Sequence, residues 1–245
     1  MALRLEQVAV AVGDEVIDEY GRITGVLVSF ISGVEGYVQA IEVKIADRGL
    51  ERVPGDRVKF KDGRLVIVPE WKYNALRVIE ALDRAYRRRK ALENIASQGD
   101  IPGDVIDSMK RKLTEEIKRL KVEAEKAKSM IKDRISQIED ENLHVASAIA
   151  NLQMLYFSGE VSEKGYTQGM NNLRKLKRAL ADEKSDAKKT LDKLEKTLEA
   201  ASAPTAVEKP SGKPKEQVKH EPAPQAVRAP SKVDEGSLVV KIEEA

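Results

Sequence analysis

The apolar positions change period along the chain, and the changes divide it. Over residues 14–68 they alternate: Ile41, Val43 and Ile45 with Glu42 and Lys44, and Val58 and Phe60 with Lys59 and Lys61. Successive side chains of a strand point to opposite faces, so a period of two predicts half-buried strands. Asp62-Gly63 falls between Val58–Lys61 and Leu65–Val68. Both residues tolerate the left-handed backbone that a tight hairpin needs, so a hairpin is expected there. Tyr20-Gly21 and Pro54-Gly55-Asp56 mark two further reversals. Five or six short strands with no helix between them predict a small, partly closed antiparallel barrel over residues 1–70.

From Trp71 the period becomes helical. Trp71, Ala75, Val78, Leu82, Ala85, Leu92 and Ala96 recur at helical spacing as far as Gln98-Gly99, where a glycine cap and Pro102 end the run. Trp71 is expected to pack the sheet onto this first helix. A second helix, over 103–158, carries one heptad position through Ile117, Ala124, Ile131, Ile138, Val145 and Leu152. The other runs through Ile106, Leu113, Leu120, Ala127, Ala148 and Leu155, interrupted by Arg134 and Glu141. That interruption reads either as a charged break in a surface stripe or as a register lock or point of partner exchange. The third helix, over 162–200, repeats Tyr166, Leu173, Leu180, Ala187 and Leu194 every seven residues, with Met170, Leu191 and Leu198 filling the seam.

Sustained heptads predict a coiled coil over 71–200, giving a segregated α+β chain. Short connections make successive helices antiparallel, so the first covers only the N-terminal half of the second and the third the C-terminal part. The surplus seam is expected to bury itself between subunits. Ile117, Leu120, Ile131, Ile138, Val145, Leu152, Leu173 and Leu180 are the candidates for self-association. Residues 201–236 hold six of the nine prolines among Ala, Lys and Glu, too little apolar surface to offset chain entropy. A disordered tether is expected, ending in a docking segment at 237–245 whose Leu238, Val239, Val240, Lys241 and Ile242 suit a strand formed on binding.

Composition narrows the function. Charged residues make up 34% and aromatics 4%, which suits long helices better than a large enzyme core. The chain has no cysteine and two histidines, His144 and His220, neither with a second ligand in helical reach, so no metal or cofactor is expected. No glycine-rich loop opens a helix to hold phosphate, and no catalytic constellation stands out. The reading is of a protein that is not an enzyme, cytoplasmic and without a membrane span. Charge is nearly balanced except over 71–99, where Lys and Arg outnumber Asp and Glu by four. There Arg77, Arg84 and Arg88 share a helix face, and with Arg87, Arg89 and Lys90 they are the candidate contacts to nucleic-acid phosphates. A solvated helix flank is the plainer reading of the same residues.

The run Gly13-Asp14-Glu15-Val16-Ile17-Asp18-Glu19-Tyr20-Gly21-Arg22-Ile23-Thr24-Gly25 resembles the opening of a PRC-barrel. With the coiled coil, the proline-rich tether and the terminal apolar peptide in that order, the whole chain resembles the CdvA family of archaeal cell division. The resemblance implies a cytoskeletal scaffold that dimerises and polymerises at mid-cell. It also implies that the C-terminal peptide docks on the ESCRT-III homologue CdvB and recruits it to the membrane, with the scaffold's own membrane association indirect or peripheral. DNA association is implied too, so the alternative is a nucleoid-associated coiled-coil protein that binds DNA through the first helix.

Overall fold

The computed structural model describes residues 3–46 and 48–202. The expected tether and docking segment lie outside the described residues. A short helix, α1 (Leu5–Ala9), precedes six strands: β1 (Glu15–Asp18), β2 (Ile23–Ser32), β3 (Val38–Ile45), β4 (Gly49–Pro54), β5 (Val58–Lys61) and β6 (Arg64–Ile67). They form one sheet in the order β4-β3-β2-β1-β6-β5. The Asp62-Gly63 hairpin is present, with φ of 51° and 76° at its two central residues and Lys61 opposite Arg64.

The antiparallel barrel needs correcting in two respects. β6 runs parallel to β1, because the β5–β6 hairpin docks on β1 through its second strand. The sheet also stays open, with β4 and β5 as its two edges. A 3-10 turn at Gly55–Arg57 carries the chain from one edge to the other. The sheet curls around Val16, Leu27, Ile41, Val43, Val53 and Leu65, and the N-terminal segment closes this core with Leu3, Val8 and Ala11. The alternating strands therefore do bury one face, as their period of two demands.

Three long helices follow: α2 (Glu70–Gln98), α3 (Gly103–Phe157) and α4 (Glu163–Ser202). Gly99 ends α2 in the left-handed conformation, at φ 77°. The 55 residues of α3 span about 80 Å at the helical rise. Trp71, Ala75, Val78, Leu82 and Ala85 of α2 pack with Ile117, Leu120, Ala124, Ala127 and Ile131 of α3 and with Ala187, Leu194 and Ala201 of α4. The middle of the rod is therefore three helices deep. Beyond it Ile138, Val145 and Leu180 form a smaller core between α3 and α4 alone.

The reach of α4 differs from expectation. It does not stop beside the C-terminal part of α3 but continues back to meet α2. Its buried stripe is Leu180, Glu183, Ala187, Thr190, Leu194 and Ala201. Leu191 and Leu198, expected in the seam, are only partly buried at its side. The second heptad position carries Glu183 and Thr190, so hydrophobicity alone pointed one residue away from it.

Candidate interaction surfaces

The sheet meets the rod through ions. Glu183 of α4 is 1% exposed. Its carboxylate accepts a bidentate pair from Arg134 of α3, Nε and Nη2 each at 2.8 Å. The β1–β2 turn brings Arg22 Nη2 to 2.6 Å from the same carboxylate, and Trp71 of α2 donates its indole N–H at 3.2 Å. Four elements thus converge on one side chain. Arg22 is held in turn by Asp18 at 2.6 Å, and Arg134 by Glu141 at 2.8 Å. Beside them the Tyr20 hydroxyl donates to Asp186 at 2.8 Å, and Lys72 bridges Asp186 and Glu19, each at 2.7 Å.

The electrostatics favour the charged forms of Glu183 and Arg134. Burial pushes the Glu183 carboxyl up, but Arg134 and Arg22 more than reverse it and leave it below its ordinary value. The hydrogen bonds to Glu183 outweigh burial at Arg134 and raise the guanidinium further. Burial, with Asp186 second, raises the Tyr20 hydroxyl well above the ordinary range and keeps it a donor. A buried carboxylate shared by two guanidiniums fixes geometry more than it adds stability, because all three charges were desolvated to make it. At the Arg134–Glu141 interruption, Arg134 turns into the joint and pairs with Glu183 and Glu141 of the same chain. Trp71, 6% exposed, packs in the core of the three helices and gives its indole N–H to Glu183, so it meets the sheet only at the β1–β2 turn, beside Tyr20.

The residues proposed for self-association are covered by the chain's own helices. Ile117, Leu120, Ile131, Ile138, Val145 and Leu180 are 5% exposed or less, and Leu152 and Leu173 are half-buried. Part of the apolar surface left over lies on a different stripe of α3, apart from Val105, Met109 and Val122 nearer its start. Leu143, Ser147, Ala150, Met154 and Phe157 recur at four- and three-residue steps along the half that α2 never reaches, and all five are exposed. Leu143 is 69%, Met154 61% and Phe157 81% exposed.

The arginine face of α2 is partly neutralised. Arg77 pairs with Glu123 at 3.2 Å and Arg87 with Asp83 at 3.1 Å. Arg89 lies over the Tyr86 ring and donates to the Ala201 carbonyl. Arg84, Arg88 and Lys90 are exposed. A second basic cluster escaped the reading of the sequence: Arg174, Lys175, Lys177 and Arg178, all exposed on α4. Its signal was four cations within five residues, masked by a nearly balanced charge over the helix as a whole. Glu183 and Asp186 were also missed, since nothing local separates them from solvated carboxylates. Leu238 to Ile242 lie outside the described residues. No helix among the described residues is long and apolar enough to cross a membrane.

Residues 70–218 match the family model of the CdvA-like coiled-coil domain. The chain is 33% identical over 195 residues to Cell division protein A of Sulfolobus acidocaldarius, covering 80% of this chain and 82% of that protein. No solved structure matches. The chain belongs to the CdvA-like family.

Proposed function

We propose that this member of the CdvA-like family is a non-enzymatic scaffold of archaeal cell division. It assembles through its helical rod and recruits an ESCRT-III-type partner, the CdvB homologue, through Leu238, Val239, Val240, Lys241 and Ile242. The observation that carries the assembly step is the uncovered stripe Leu143-Ser147-Ala150-Met154-Phe157. A second copy of the same stripe would bury it at heptad spacing, and small residues between the large ones let two helices approach closely. The sheet, read as a PRC-like module, gives each subunit a second contact and so extends a dimer into a filament at the division site. The membrane is then reached through the recruited partner.

Sedimentation velocity and negative-stain microscopy test the assembly step. The double substitution M154D/F157D should leave helicity intact and cut the assembly down to the small particles that the sheet contact alone can hold. Full-size assemblies from that variant would exclude the stripe. For recruitment, a peptide of residues 232–245 should bind the partner as tightly as the whole chain does, since an extended peptide draws affinity from its own backbone. V240D/I242D in the full chain should abolish that binding while assemblies persist.

DNA binding is the second reading, favoured by the exposed Arg84 and Arg88. Changing Arg77, Arg84 and Arg88 to Glu should then weaken duplex binding and flatten its dependence on salt, because fewer counterions are released. Unchanged binding would move the contact to another surface.

A further inference from the structure

The apolar stripe on α3 has two ends, and they restrict how a second copy can lie on it. Leu143 and Phe157 stand seven residues either side of Ala150, with Ser147 three before it and Met154 four after. At 3.6 residues per turn the five lie roughly 140° round the helix from Ile138 and Val145, and so face away from α4. Upstream the same face turns polar at Ser136, Glu139 and Asp140, all exposed, and downstream α3 ends at Phe157. The apolar section is therefore about 21 Å long at the helical rise, with acid beyond one end and the helix terminus at the other. After Arg134, α3 carries no Lys or Arg.

Laid parallel and in register, each residue of the stripe meets its own copy. Leu143, Met154 and Phe157 then crowd their equivalents, while Ser147 and Ala150 leave gaps opposite theirs. Glu139 and Asp140 face the same carboxylates, with no cation on this stretch of α3 to offset them. Laid antiparallel about Ala150, Leu143 meets Phe157 of the second copy and Ser147 meets its Met154, so a large residue fills the space beside a small one. Ala150 meets itself and lets the helix axes close to about 8 Å. Each Asp140 passes the end of the other α3 and stays in water.

We infer that two copies of the rod pair antiparallel through this stripe, with a two-fold axis at Ala150. The inference rests on the assembly reading above and adds its direction. Arg134, where α3 meets the sheet, is sixteen residues from Ala150, so the two joints stand about 48 Å apart along the rods. Each pair thus presents its sheets at opposite ends. Joined sheet to sheet by a like contact, such two-fold pairs build a filament without polarity. Five side chains a copy are fewer than the roughly 20–30 residues a side of a standard interface, so the pair is weak alone and is held by the sheet contacts of the assembly.

The chain has no cysteine, so an introduced thiol is unique. A disulfide needs β-carbons about 4 Å apart, which the two orientations supply at different positions. Antiparallel pairing predicts that Ala150→Cys links to its own copy on mild oxidation of the full chain. Leu143→Cys and Phe157→Cys should each do so several-fold less, since each lies about 21 Å from its equivalent. Mixing those two variants should bring the dimer band back, because the mixed pair sets one thiol against the other and keeps Leu143 against Phe157 at its far end. A spin label on Ser136→Cys, outside the stripe, should read about 42 Å between copies by pulsed dipolar spectroscopy. Circular dichroism checks the helicity of every variant. Self-linking by Leu143→Cys and by Phe157→Cys as strong as in the mixture would overturn the inference and leave the stripe as a parallel contact. So would spin labels within two helix diameters, on the order of 20 Å. No link at any of the three positions while full-size assemblies persist would overturn it together with the assembly reading.

Discussion

Replacing Glu183 by Ala should be among the most destabilising single changes in the rod. The side chain is 1% exposed and serves Arg134, Arg22 and Trp71 at once. Removing one member of a buried ion pair costs about 3–5 kcal/mol, because the remaining charges stay desolvated without a counter-charge. Arg134 keeps Glu141 and Arg22 keeps Asp18, and their side chains are 20% and 25% exposed, so the lower end, about 3 kcal/mol, is expected. Urea unfolding followed by circular dichroism measures it, with the emission of Trp71, the sole tryptophan, reporting the joint itself. In a double-mutant cycle with Arg134→Ala the two losses should fall short of additivity by about 1–3 kcal/mol. The paired change R134M/E183L should recover part of the stability, since two apolar side chains escape the desolvation while Arg22 and Trp71 still lose their acceptor. The Glu183 carboxyl lies below its ordinary value in the fold. Its contribution is therefore present above the unfolded value of about 4.5 and is lost as the pH falls through the folded one. Glu183→Gln should flatten that acid limb. A loss under about 1 kcal/mol for Glu183→Ala, with no coupling to Arg134, would refute the reasoning.

Ile138→Asp should unfold the outer part of the rod, because Ile138 is fully buried between α3 and α4, whereas M154D/F157D should change association alone. Thermal melts and sedimentation separate the two effects, and loss of assembly without loss of fold in Ile138→Asp would contradict the packing. Gly55→Ala should destabilise the sheet by about 1–3 kcal/mol, since the added carbon would overlap the Val38 carbonyl oxygen. Hydrogen exchange should place that loss in β3 and β4 rather than in the helices.

The sequence by itself determined the elements. Alternation at Ile41, Val43 and Ile45, the Asp62-Gly63 turn and the glycine cap at Gly99 are local devices, and each appears where its pattern placed it. Heptads marked α3 for the same reason: a helix repeats its faces whatever packs on them. What covers a face is not local. The parallel pairing of β1 with β6 and the open edges depend on how a hairpin docks, which no period encodes. Nor does a period say which of two stripes α4 buries, and the true one was disguised by Glu183 and Thr190. A charge at a heptad position reads as solvent-facing until three other elements supply its counter-charges and its indole donor. The same packing turned Ile131 and Ile138 from candidate subunit contacts into the core of one chain, and left Met154 and Phe157 outside. Sequence sets the pattern of a helix, but only the count of neighbours around it, two in the middle of the rod and one beyond it, decides which apolar residues remain free.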